Sequence, residues 1–290
     1  MNDQSTTTKQ RGLGRLAGMI RRILHNRLLL ALLAISLIPL SILGFSMYYL
    51  TSNAIMEQAT DRLTAVRTIK ANQIQSYFHS IQDQIQTFSE DRMVIQAMSD
   101  FKTGLATIQT DNEVTEASLA EMREQVKRYY STEFARRYND GKSDANADEE
   151  ALVSKLVLPL DADAITLQYQ YIQRNPNDLG SKDLLDDSGD GSSYSKSHSL
   201  YHPIIRNYLQ KFGYYDIFLV DNKSGDILYS VFKEVDYATS LRDGPYASTN
   251  LGKAFTEAAK SNWKDSVVFV DYQAYPPSYE APASFIASPI

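Results

Sequence analysis

Lys233, Glu234, Asp236, Tyr246, Asp271, Tyr275 and Tyr279 are the residues of this chain whose types could assemble a recognition site. A pocket for a small zwitterion needs a cation for the carboxylate, an anion for the ammonium, and aromatic walls. Lys233 with Asp236 or Asp271 supplies both charges, and Tyr246 and Tyr275 supply walls. The same set also fits solvated strand ends on a tyrosine-rich surface. Asp271 closes the apolar run Val267-Val-Phe-Val270. Strict alternation places Val267, Phe269 and Asp271 on one face, with Phe269 on the pocket floor and Asp271 near Lys233. A single bulge would break that alternation.

Two other clusters have ligand-like spacing. Asp186-Asp-Ser-Gly-Asp-Gly191 matches the first half of a calcium loop, but its twelfth position is Ser197 rather than a bidentate Glu, so it reads as a surface turn. His198 and His202 stand four apart, the spacing of a zinc pair on a helix, yet no Glu follows His198 and no third ligand is indicated. Packing or capping is the reading for both histidines. His25 and His79 stand alone. The chain has no cysteine, which excludes thiolate chemistry and disulfides. It also lacks G-x-S-x-G, G-x-x-x-x-G-K and H-E-x-x-H. A binding protein without cofactor or metal is expected, not an enzyme.

These groups must be positioned by elements outside a membrane. Leu28–Leu50, LLLALLAISLIPLSILGFSMYYL, carries no charge. As a helix it covers roughly 34 Å, enough for a hydrocarbon core of about 30 Å. Tyr48 and Tyr49 suit an interfacial belt, and Pro39 is tolerated within a span. The run exceeds the apolar region of a cleaved signal. Residues 1–27 hold six of the 29 basic residues and one of the 35 acidic ones, leaving 23 against 34 beyond them. The basic flank predicts a cytoplasmic tail (1–27), a span (28–50) in the inner, or plasma, membrane, and everything after Leu50 outside. The acidic balance argues against nucleic acid as a partner.

From Thr51 to about Phe101 there is no proline or glycine, and Leu63, Val66, Ile74, Tyr77, Ile81, Ile85 and Phe88 recur at helical intervals. One nearly continuous stalk helix is expected, its stripe paired with a second copy. Residues 51–150 form a helical region, with a second helix opening at the box Ser118-Leu-Ala-Glu121, an acidic loop at Lys142–Glu150, and a third helix at Asp163–Arg174. Tyr201–Phe212 reads as a helix after a Gly-, Asp- and Ser-rich loop. Tyr215–Val220 and Ile227–Phe232 read as a hairpin around Asp221-Asn-Lys-Ser-Gly-Asp226. Leu251–Ala259 reads as a helix, and Ser266–Tyr272 and Ser284–Ala287 as further strands of one antiparallel sheet. The fold class is α+β.

The stretches LQYQYIQRNP (167–176), YHPIIRNYLQKFGYYDIFLVD (201–221), YSVFKEVDYATSL (229–241) and YPPSYEAPASFIASPI (275–290) resemble the extracellular double Cache sensor region of bacterial methyl-accepting chemotaxis receptors and related membrane signalling proteins. The resemblance covers about residues 51–290. It implies a transmembrane helix, a long stalk helix and a distal PAS-like Cache subdomain at 151–290, which lacks its last strand. A proximal subdomain, second span, HAMP linker and output module would lie beyond it. It further implies a chemoreceptor for an extracytoplasmic small molecule, acting as a homodimer through the stalk in the lipid bilayer. Asp271 is loosely equated with the family's ammonium-binding Asp. The amino-acid receptors of that family carry an Arg-x-Trp-Tyr strand motif, whereas the single tryptophan here is Trp263, outside the hairpin. A sensor kinase, cyclase or phosphatase ectodomain, or a structural anchor that binds nothing, remains open at this point.

Overall fold

The computed structural model describes residues 5–140, 149–261, 263 and 265–290. The chain divides into two compact units, residues 1–77 and 78–290. Helix α1, Ser5–Glu90, supplies the first unit and leads into the second. Its stretch from Leu28 to Leu50 exposes every large apolar side chain, as in Phe45 at 74%. By length and composition this helix could cross a membrane. Leu63, Val66, Ile69, Ile74 and Tyr77 further along it are exposed as well.

The expected nearly continuous helix to Phe101 is interrupted at one residue, Asp91. α1 stops at Glu90, and α2, Arg92–Asp111, starts afresh with Asp91 in extended conformation, its carboxylate accepting from Met93 N at 2.7 Å. No glycine or proline is needed, because a side-chain carboxylate stabilises the break by capping the new N-terminus. The next helix, α3 (Glu116–Tyr129), opens earlier than expected. Thr115 is its cap, and Ser118 is the reciprocal partner inside the box rather than the cap itself.

α3 passes through a π-helical turn at Tyr130–Phe134 into α4, Ala135–Asp140. Most of the expected acidic loop lies outside the described residues, and its last two residues open α5, Glu149–Val157. The third helix is found as α6, Ala162–Gln168, continued by a π-helical turn at Tyr169–Gln173. α7, Ser193–Phe212, begins eight residues before the expected Tyr201 and runs through Pro203. Ser192 caps it, and Gly213 in left-handed conformation ends it.

The hairpin forms as expected: β1, Phe218–Val220, pairs antiparallel with β2, Ile227–Ser230. Gly225 supplies the left-handed turn residue at φ 82°. After α8 (Asn250–Ala259), β3 (Val268–Tyr275) pairs with β4 (Ala281–Ala287). Among the described residues these are two separate two-stranded sheets, so the single four-stranded sheet is corrected to two hairpins. The fold is α+β, with helices and small antiparallel sheets.

The second unit holds two apolar cores, with the β1–β2 hairpin between them. Phe218, Val220 and Ile227 join a core with α3–α6, α8, β3 and β4, centred on Tyr130, Phe134, Ile165 and Tyr275. Leu219, Leu228 and Tyr229 join another with α2 and α7, centred on Phe101, Tyr171, Tyr194 and Ile205. β2 is therefore buried on both faces. α2 and α7 meet at Gly104, where an added Cβ would lie 2.7 Å from Tyr194 Cα. Tyr194 cannot yield, because its hydroxyl donates to Leu228 O at 2.6 Å and accepts from Tyr237 at 2.7 Å. Gly104→Ala gains about 1 kcal/mol of helix propensity, but overpacking costs about 1–3 kcal/mol. The variant should lower the thermal midpoint of the full chain; a raised midpoint would show the crossing is loose.

Candidate functional site

The segment leaving β2 is bent around one carboxylate. Asp216 accepts from Ile217 N (2.6 Å), Val231 N (2.8 Å), Phe232 N (3.3 Å) and Ser230 Oγ (2.8 Å). Ser230 Oγ in turn accepts from Lys233 N at 2.9 Å. This wrapping holds Lys233 in left-handed conformation at φ 55°, a backbone state that ordinary side chains adopt only under constraint. Lys233 is thereby turned inward and is 1% exposed.

The Lys233 ammonium donates to Val231 O at 3.0 Å and lies 5.6 Å from the Tyr229 ring centroid and 5.9 Å from that of Tyr171. An ammonium has three donors, so among the described residues two are left to the rings. Burial pushes its pKa down to about 7, against the pull of Asp216, which favours the charged form.

α7 brings His198 and His202 to the same place, one turn apart and stacked at 4.4 Å. His202 sits 2.6 Å from both Asp183 O and Tyr229 Oη. A carbonyl can only accept, so Nε2 donates to it and Nδ1 accepts from the tyrosine. Burial, and then the Lys233 charge, push the His202 pKa down to about 2. His198 is likewise held well below the usual range by burial and Lys233, and its Nδ1 donates to Asp186 O at 2.7 Å. Its Nε2 is buried without a partner. Arg206 donates to Asp183 O and pairs with Asp186 at 3.1 Å, fixing the loop that both histidines lean on.

Asp236 goes to the other core. It accepts from Tyr275 Oη at 2.6 Å, and its second oxygen has no partner. Burial raises its pKa to about 7. The Tyr246 hydroxyl is also buried and unpartnered, with its ring 6.5 Å from Tyr275. Glu234 accepts from Tyr279 at 3.3 Å, and burial raises its pKa to about 8.

The structure thus divides the residues expected in one pocket. Asp236, Tyr246 and Tyr275 stand together, whereas Lys233 stands with Tyr171, Tyr229, His198 and His202. Asp271 joins neither group: it is exposed, and its carboxylate accepts from Tyr272 N at 2.7 Å. Phe269 is not a pocket floor. It is 45% exposed and meets Phe78 edge-on at 5.4 Å, while Val270 and Tyr275 are the buried residues of β3. Phe269 and Asp271 do share one side of β3, but that side is exposed, and the register shifts between Val270 and Gln273.

Tyr171, Tyr229 and Asp216 were not among the expected site residues. The histidine spacing was visible in sequence, but its depth depended on where α7 begins. In the calcium-like segment, Asp187 accepts from Gly189 N at 2.9 Å and Asp190 from Ser192 N at 3.0 Å, as turn residues do. Among the described residues no group of three or more His, Asp or Glu side chains could hold a metal. No family model, curated protein or solved structure matches the chain.

The depressed Lys233 pKa carries a stability consequence. Between pH 7 and about 10 the unfolded lysine holds a proton that the folded one has lost, so stability from this residue rises with pH. Below pH 7 both forms are protonated and the burial penalty is constant. Relative to Lys233→Met, the parent should gain several degrees in thermal midpoint from pH 7 to 10. A pH-independent gap would place the ammonium in water.

Proposed function

We propose that the chain is the sensory portion of a membrane chemoreceptor of the methyl-accepting type, with a Cache-like unit that takes a small organic anion at Lys233. One observation carries the reading: a buried ammonium uses one of three donors and faces two aromatic rings. The charges of Asp216 and Asp183 favour the protonated form, but burial outweighs them, and an anionic ligand bonded to the ammonium offsets that remaining cost.

In this reading Leu28–Leu50 spans the inner membrane, the basic tail is cytoplasmic, and residues beyond Leu50 are extracytoplasmic. The exposed stripe of α1, including Leu63, Val66 and Ile74, packs on a second copy in the bilayer-anchored dimer. Transmission starts at Phe101 of α2, which stacks on Tyr229 at 5.0 Å and meets His198 at 6.4 Å. α2 follows α1 directly at Asp91, so a ligand that prefers one seating of Phe101 biases the helix pair by its differential affinity.

The test is a binding screen of the full chain in nanodiscs against small carboxylic acids, by calorimetry and thermal shift. Acids that bind should weaken roughly tenfold to a hundredfold in Lys233→Met, from about 1.5–3 kcal/mol for a charge-assisted hydrogen bond. Equal affinity for parent and variant would remove Lys233 as the anchor. Binding by amines but by no acid would overturn the anionic reading.

A further inference from the structure

The second unsatisfied group beside Lys233 narrows the ligand class, on the reading that Lys233 anchors an anion. His198 is fully buried, and its Nδ1 proton is committed to Asp186 O. The imidazole is then neutral, with a bare lone pair on Nε2 that accepts nothing among the described residues. A buried acceptor left without a donor is costly enough that a ligand supplying one gains affinity.

His198 and Lys233 share their walls. The His198 ring lies 4.6 Å from Tyr171 and 5.7 Å from Tyr229, the same two rings that the Lys233 ammonium faces. A ligand seated against these tyrosines meets a cation with spare donors and a lone pair with none. We propose that it is a small hydroxycarboxylate, with the carboxylate on Lys233 Nζ and the hydroxyl donating to His198 Nε2.

The donor is a neutral hydroxyl rather than an ammonium. The charges bearing on His198 include Lys233 and Arg206, both positive, and both repel a second cation. The carboxylate of Asp236, which could have received an ammonium, is held by Tyr275 in the other core. His202 offers no competing acceptor, because its Nδ1 already accepts from Tyr229 and its Nε2 donates to Asp183 O.

The test uses the full chain in nanodiscs and pairs of acids that differ only in one group: 2-hydroxypropanoate against propanoate, 3-hydroxybutanoate against butanoate, and 2-hydroxybutanedioate against butanedioate, with 2-aminopropanoate as the ammonium arm. At least one hydroxy acid should bind about 5- to 50-fold more tightly than its partner, the range expected when a buried acceptor gains a neutral hydrogen bond. His198→Phe keeps a ring and removes the acceptor, so the affinity ratio within the preferred pair should fall to about one, whatever the variant does to the plain acid. Should this variant fail to fold, the parent labelled with 15N-histidine gives a second readout. The unprotonated Nε2 resonance should move upfield with the hydroxy acid and stay still with the plain one.

Equal binding of both members of every pair overturns the inference but leaves the Lys233 anchor standing. Preference for 2-aminopropanoate overturns it in favour of a zwitterion. Absence of binding by every acid overturns both the inference and the reading beneath it.

Discussion

A lysine ammonium removed from water is among the least comfortable groups a fold can hold, and the second unit is arranged around one. Lys233 stays inward because the Asp216 carboxylate gathers three backbone amides and the Ser230 hydroxyl, and Ser230 in turn receives the Lys233 amide. The left-handed backbone at Lys233 is thus over-determined by hydrogen bonds from two chain segments. Its charge then sets the state of its neighbours. Burial first, and then this charge, depress both histidines, which as neutral rings can stack and hold fixed tautomers.

The hairpin gives this cluster its surroundings. Because β2 is buried on both faces, side chains leaving the hairpin end in one of two cores, and residues three apart can part company. Lys233 enters the aromatic group of α2 and α7, while Asp236 meets Tyr275 beside α8. Among the described residues the two groups carry poorly satisfied acids and bases of opposite sign, Lys233 in one and Asp236 in the other. Phe101 connects the Lys233 group to α2, while Gly104 and Tyr194 clamp α2 to α7 at contact distance. A displacement at Tyr229 therefore meets a closely packed helix pair with little slack to absorb it.

Features with a local cause could be read from the chain. The turn Asp221–Asp226 was legible because its residues favour a turn whatever surrounds them, and Gly225 sits where φ must be positive. The apolar run of α1 and the α8 periodicity were legible for the same reason. The break at Asp91 was not, since a capping aspartate within a helical pattern looks like any polar surface position. α7 starts early because Ser192 caps it, but Ser193–Ser197 reads as loop by composition. That shortfall hid the histidine site: on a helix starting at Tyr201, His198 belongs to a loop. Asp271 was misplaced because its side of β3 was taken as the pocket side, whereas Phe269 and Asp271 are both exposed and Val270 between them is buried. The separation of Lys233 from Asp236 depends on both cores at once, and no local pattern encodes it.

The Nζ resonance of Lys233 reports its charge directly. A pH titration of 15N-lysine-labelled full chain in nanodiscs, assigned with Lys233→Met, measures its protonation midpoint with and without a bound organic acid. A midpoint near 7 is expected in the free chain, well below the ordinary lysine value because of burial. Bound anion should move it upward, because the anion favours the charged form. A midpoint at the ordinary lysine value, unmoved by any acid that binds, would contradict the buried Lys233 anchor.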